Sequence, residues 1–185
     1  MELIKELPAL GRDLGPGLIL IGLTSLAAIL VGCLFEEWET LPWMATATVS
    51  LCGIGLLLRF LPKTSKVPRT STSIAATALV WVIVGLCGSL PFLFTGMSFL
   101  DAAFESMSAW TGTGFSIAED IEAWPKTLLF WRSFMQWVGG LGIVAFTLTV
   151  ATRSGLVTRG LYNSESGSQA FMPSVIATAF QMWKI

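Results

Sequence analysis

Apolar residues in this chain gather into long runs separated by short charged connections. A bilayer core takes about 20 mostly apolar residues to cross as a helix. Gly15–Phe35 meets that length without a charge, Pro42–Leu58 follows and ends at Arg59, and Ile74–Thr95 is a third uncharged run. Thr127–Ala151 is a fourth, interrupted only by Arg132, and a fifth begins near Ser174 and reaches Ile185. Pro42 suits the first turn of a helix, where its missing N–H costs nothing. The pattern predicts an all-α integral membrane protein. Two N-terminal transmembrane helices are expected at 15–35 and 42–61, then spans at 74–95 and 127–151, a polar linker over 153–173 and the start of a further helix at 174–185.

The stretch Gly96–Lys126 between the third and fourth spans does not read as ordinary loop. Phe99–Trp110 (FLDAAFESMSAW) has Leu100, Ala103, Phe104 and Met107 at helical spacing, which predicts a helix of roughly half a membrane thickness. Ser98 is a candidate N-cap, with Asp101 in place of the usual Glu three residues on. A glycine-containing strand is expected at Thr111–Ser116, followed by the acids Glu119, Asp120 and Glu122 and by Trp124, an aromatic suited to the membrane interface. Two readings fit this pattern. One is a re-entrant pore loop; the other is an external loop whose amphipathic helix lies on the membrane surface.

Charge placement orients the spans. Arg59, Lys63, Lys66 and Arg69 fill the second connection without an acid beside them, whereas the first carries Glu36, Glu37 and Glu39. By the positive-inside rule, the N-terminus and loop 59–72 face the cytoplasm and 96–126 faces outward. Lys5, Arg12, Arg59, Lys63, Lys66, Arg69, Arg153 and Arg159, eight of the 11 basic residues, then fall inside. The basic loop also suits anionic lipid headgroups. Met1–Leu14 carries charges of both signs and the apolar run behind it is too long for a cleaved signal. Overall the chain is 54% hydrophobic and 12% charged, against ~25% charged in soluble domains.

Composition narrows the chemistry. With no His, the commonest general base and transition-metal ligand are missing, and Cys33, Cys52 and Cys87 lie in separate apolar runs without CxxC spacing. No nucleophile–base pair is recognisable, so no enzyme activity and no organic cofactor are expected. TGTGFS is neither a phosphate loop nor a dinucleotide fingerprint, and no nucleic-acid partner is expected. A half-helix followed by a glycine segment does suit a cation. Backbone carbonyls and Thr hydroxyls can replace a potassium ion's hydration shell, and glycine allows successive carbonyls to point one way. The C-terminal end of the short helix adds partial negative charge.

Two charges need an explanation at membrane depth, Glu105 and Arg132. Either they pair, or Arg132 reaches back to the outer interface along its own stem. Gly139, Gly140 and Gly142 within the fourth span serve either close helix packing or a hinge.

The run LPFLFTGMSFLDAAFESMSAWTGTGFS, followed by LLFWRSFMQWVGGLGIVAF, resembles the first pore repeat of the Trk/Ktr/HKT superfamily of potassium transporters. The resemblance is strongest from Leu90 to Phe146 and covers most of the chain. It implies a potassium-channel-like helix–pore loop–helix repeat, four of which surround one pore, preceded by two extra helices as in bacterial Trk-type members. The filter carbonyls are then those of Thr111, Gly112, Thr113 and Gly114, with potassium as the ion and Glu105, Arg132 and Phe115 as support. Gly114 matches the glycine that recurs once per repeat; Gly112 stands where related sequences often have Thr. The family also implies a cell-membrane location, a homodimer and a cytosolic nucleotide-binding regulatory subunit.

One repeat cannot enclose a pore. The resemblance therefore implies a fragment completed by the remaining repeats. The other readings are a small subunit that tetramerises into a potassium channel, or a non-conducting accessory subunit in the membrane.

Overall fold

The computed structural model describes residues 2–61 and 70–153, with side-chain environments given within 11–143. Its regular secondary structure among the described residues is all helical. The elements are α1 (Glu2–Thr24), α2 (Leu26–Leu34), α3 (Leu41–Arg59), α4 (Thr70–Ser89) continued by a 3₁₀ turn (Leu90–Thr95), α5 (Phe99–Trp110) and α6 (Lys126–Arg153). Among the described residues, three stretches are long and apolar enough to cross a membrane, Leu14–Leu34, Leu41–Arg59 and Ile74–Thr95. The fourth expected span lies on α6, whose side chains from residue 144 onward fall outside the described set, as do the expected linker from residue 154 and the helix start at 174–185.

The chain divides into two compact units, Met1–Gln136 and Trp137–Ile185. The first holds α1 to α5 and the opening of α6. In the second, the described part is helical up to Arg153.

The helix of the first expected span is interrupted at Ser25, between α1 and α2. The hydroxyl of Ser25 donates back to Gly22 O at 2.6 Å and lies 2.6 Å from Thr48 Oγ1 of α3. Such back-bonding competes with the helix ladder. Before Ser25, α1 and α3 approach backbone to backbone. A Cβ at Gly15 would lie 2.6 Å from Gly55 O, and one at Gly55 would lie 2.7 Å from Gly15 O. Where apolar residues gain little by leaving lipid, such close packing is a main source of helix association.

Two further glycines seat α5. A Cβ at Gly85 on α4 would fall 2.0 Å from Met107 Sδ, and one at Gly88 would fall 2.7 Å from Trp110 Nε1 and 2.9 Å from Ser106 Oγ. The bare backbone of α4 thus receives the side chains of the short helix. Pro91 stands in the first turn of the 3₁₀ segment, and Gly96, at φ +81°, ends it and turns the chain toward α5.

The α1–α3 seam yields a prediction. Gly55→Val must push two backbones apart and should cost about 1–3 kcal/mol. Gly53→Ala, at a position with nothing within 4 Å, should cost far less. Thermal unfolding of the two variants in detergent checks this.

Candidate functional site

Ser98 starts α5 with extended backbone (φ −63°, ψ 156°). Its Oγ accepts from Asp101 N at 3.2 Å and donates to Asp101 Oδ2 at 2.7 Å. The cap is reciprocal, though the acid answers through the hydroxyl and not the backbone N–H. Twelve residues later the helix ends at Trp110, and Thr111 is its C-cap.

The segment that follows is not a β-strand, contrary to the expectation for Thr111–Ser116. It folds back over the end of α5 and has no ladder partner among the described residues. Gly112 N donates to Ala109 O at 3.0 Å and Gly114 N to Ser108 O at 3.3 Å. The Thr111 hydroxyl donates to Met107 O at 2.8 Å, and the Thr113 hydroxyl to Ser108 O at 3.2 Å. Carbonyls that a helix end leaves without partners are met here by the segment's own amides and hydroxyls. Gly112 (φ +71°) and Gly114 (φ +76°) are left-handed, and no other residue of the segment is. Alternation of this kind turns successive carbonyls toward one side, and glycine supplies it without steric cost. The carbonyls of Thr111, Gly112 and Thr113 accept no hydrogen bond among the described residues, and Thr111–Phe115 is exposed.

Glu105 and Arg132 meet. Arg132 Nε donates to Glu105 Oε2 at 3.0 Å, with the glutamate fully buried and the arginine side chain 13% exposed. Glu105 Oε1 accepts from Ser116 Oγ and from Ile117 N, the latter at 2.7 Å. Arg132 Nη2 reaches the carbonyls of Gly114 (3.1 Å) and Phe115 (3.2 Å). The Phe115 carbonyl also accepts from Ser108 Oγ at 2.6 Å, while its ring is exposed. Gly114, unlike the other three candidate filter residues, therefore presents a carbonyl already bonded to a guanidinium; its second lone pair remains. Gln136, one turn beyond Arg132, was not singled out by sequence, yet its Nε2 would stand 3.1 Å from a Cβ at Gly114.

Beneath the segment, Trp110 and Trp131 are buried and stand edge to face at 6.2 Å and 86°. Trp131 Nε1 donates to Gly88 O at 3.1 Å. Trp110 Nε1 is buried with no hydrogen-bond partner.

A second carboxylate was hidden from sequence reasoning, which read Glu37 only as part of an acidic outer connection. Its Oε1 accepts from Lys126 N at 2.7 Å, and its Oε2 accepts from Thr127 N at 2.9 Å and Thr127 Oγ1 at 2.6 Å. Glu37 thereby caps α6 from the α2–α3 connection. Thr40 joins it, its hydroxyl donating to Glu37 O at 2.8 Å and lying 3.2 Å from Thr127 Oγ1. Burial pulls the Glu37 pKa upward, but the Thr127 hydroxyl, the Thr127 and Lys126 amides and the Lys126 charge outweigh it and hold the value below 4.5.

Gly140 has open space where a Cβ would stand, whereas tight approaches among the described residues include Gly15, Gly22, Gly32, Gly55, Gly85 and Gly88. Gly139 is buried and Gly142 exposed. Among the described residues, no three of His, Cys, Asp and Glu gather as a metal cluster, and Cys33, Cys52 and Cys87 are free thiols.

Membrane-spanning helices around a short half-helix and a glycine-bent segment, with a buried ion pair behind it, define a transport-type integral membrane protein. The chain belongs to the TrkH family of cation transport proteins, whose model matches residues 43–183. It is 36% identical over 177 residues to an uncharacterised cation transporter of Methanocaldococcus jannaschii, covering 94% of this chain and 37% of that protein. Against the Trk system potassium uptake protein TrkH of Halomonas elongata, identity is 34% over 185 residues, covering 94% of this chain and 38% of the relative. The crystal structure of the potassium transporter TrkH from Vibrio parahaemolyticus superposes with a TM-score of 0.75 at 28% identity, covering 96% of this chain and 36% of that one. The chain thus spans under two-fifths of the length of these relatives.

Two predictions follow from the carboxylates. Glu105→Ala strands a guanidinium and the Ile117 amide, and should lower stability by about 3–5 kcal/mol. The swap Glu105→Arg with Arg132→Glu should not restore it, because each side chain also serves backbone groups the other cannot; thermal unfolding checks both. For Glu37, the lowered pKa means a stabilising contribution that is full above 4.5 and lost as pH falls through the lower folded value. Glu37→Gln should melt lower at neutral pH, by about 1 kcal/mol of capping energy, with the gap closing in acid.

Proposed function

We propose that this chain forms one wall of a potassium-selective filter in a Trk-type uptake subunit, with the carbonyls of Thr111, Gly112, Thr113 and Gly114 toward the ion. The observation that carries this reading is the way Glu105 and Arg132 fix Gly114, Phe115, Ser116 and Ile117 while three neighbouring carbonyls stay without protein donors. Carbonyls held in place and left free can take over the hydration shell of a potassium ion. The protein does no covalent chemistry in this role. Potassium is its cargo and it needs no organic cofactor.

The relatives named for potassium uptake support the same ion here. Four such walls close one pore. The N-terminus and loop 59–72 face the cytoplasm and the acids near Glu119, Asp120 and Glu122 face outward, where they concentrate cations within a screening length. In this reading the assembled transporter is a homodimer in the cell membrane, working with a cytosolic nucleotide-binding regulatory subunit.

Gly114→Ser places a side chain at φ +76° and against Gln136, and Thr113→Val removes the hydroxyl bonded to Ser108 O. In the assembled transporter, each should reduce the preference for potassium over sodium by roughly tenfold, the scale of disturbing groups around an ion's ligands. Radiotracer uptake of rubidium and sodium measures it. An unchanged ratio in both variants removes the filter assignment.

A further inference from the structure

The residue immediately before α6 is Pro125, whose side chain has no oxygen to cap the first turn. Local caps are normally Ser, Thr, Asp or Asn at that position. Here the acceptors come from Glu37, 89 and 90 residues earlier in the chain, in the connection between α2 and α3. Both carboxylate oxygens are used, and Thr40 closes the set through Thr127. Packing brings the groups together tightly: a Cβ at Gly32, on the last turns of α2, would lie 2.7 Å from Thr127 Oγ1.

What the cap fixes is close to the ion site. Arg132 stands five residues beyond Thr127 on the same helix, about 7.5 Å along its axis. Its guanidinium holds Gly114 O and Phe115 O, and its Nε holds Glu105. Leu128, Trp131 and Met135, fully buried, keep this first part of α6 from rotating freely. A helix is stiff over so short a length. Any slide or turn of its N-terminus is carried to the guanidinium, and a displacement of a few tenths of an ångström is enough to change the oxygen positions an ion meets.

We propose that Glu37 is a positioning residue for the filter: through Lys126 and Thr127 it sets the height and rotation of Arg132, and so the placement of Gly114 and Phe115. The inference rests on the filter reading above. It assigns to the two-helix N-terminal part, which contributes no ion ligand, a role in ion discrimination.

The test is made in the assembled transporter in liposomes, reading the ratio of rubidium to sodium uptake beside thermal stability. Glu37→Ala should lower the ratio by roughly threefold or more, the low end of what removing an outer partner of ion ligands costs. Glu37→Gln keeps an acceptor for one amide and should recover part of the ratio. Thr127→Val keeps the side-chain shape, loses only the hydroxyl, and should shift the ratio in the same direction by less. If Glu37→Ala is not recovered from the membrane, the Gln and Val variants decide the matter. Lower stability with an unchanged ratio in the recovered variants would overturn the proposal and leave Glu37 a structural cap. Thr113→Val in the same preparation separates the two ideas. A ratio that responds there but not to changes at Glu37 or Thr127 refutes only the positioning role, and one that responds to none of them refutes the filter reading itself.

Discussion

A carboxylate buried in a helical membrane protein must have its charge answered within the protein, and the site is organised around meeting that demand at Glu105. One oxygen takes the guanidinium of Arg132, the other the Ile117 amide and the Ser116 hydroxyl. Burial makes each of these bonds more valuable, because the alternative is an unpaired charge in a low-dielectric setting. The same low dielectric confines the arrangement to few geometries. A segment of exposed, glycine-rich backbone that would be mobile by itself is held at Gly114, Phe115, Ser116 and Ile117 by groups that cannot leave.

Two groups of glycines shape this part of the chain, for different reasons. Gly15, Gly55, Gly85 and Gly88 are needed for what they lack, since any side chain would collide with a neighbouring backbone or with the residues of α5. Gly112 and Gly114 are needed for the backbone angles they permit. Gly15 and Gly55 set the seam between α1 and α3, Gly85 and Gly88 fix where the short helix lies, and Gly112 and Gly114 set how the chain leaves its end. Neither kind substitutes for the other.

Much of this was legible in the sequence, for identifiable reasons. Long uncharged runs separate spans from connections because lipid tolerates few charges, and a charge inside such a run, as at Glu105 or Arg132, calls for a partner. Ser98 could be seen as a cap because capping is local. The interruption at Ser25 was not legible, since a serine in an apolar run changes hydropathy little and its effect depends on Thr48 across the seam. The segment at Thr111–Ser116 reads as a strand from its Thr and Gly pattern, but without a neighbouring strand its hydrogen bonds go to the helix end instead. Glu37 was legible only as one acid among three, because its partners lie about 90 residues away. The one local hint was negative, a proline where α6 wanted a capping side chain.

That distant cap also bears on the order of assembly. A chain made from its N-terminus forms the α2–α3 connection long before Lys126 leaves the ribosome. When α6 enters the membrane, the acceptors for its first turn are already in place on finished helices. The earlier hairpin is thus a template that registers a later helix, and an error in the first pair of helices is inherited by the glycine segment that Arg132 holds.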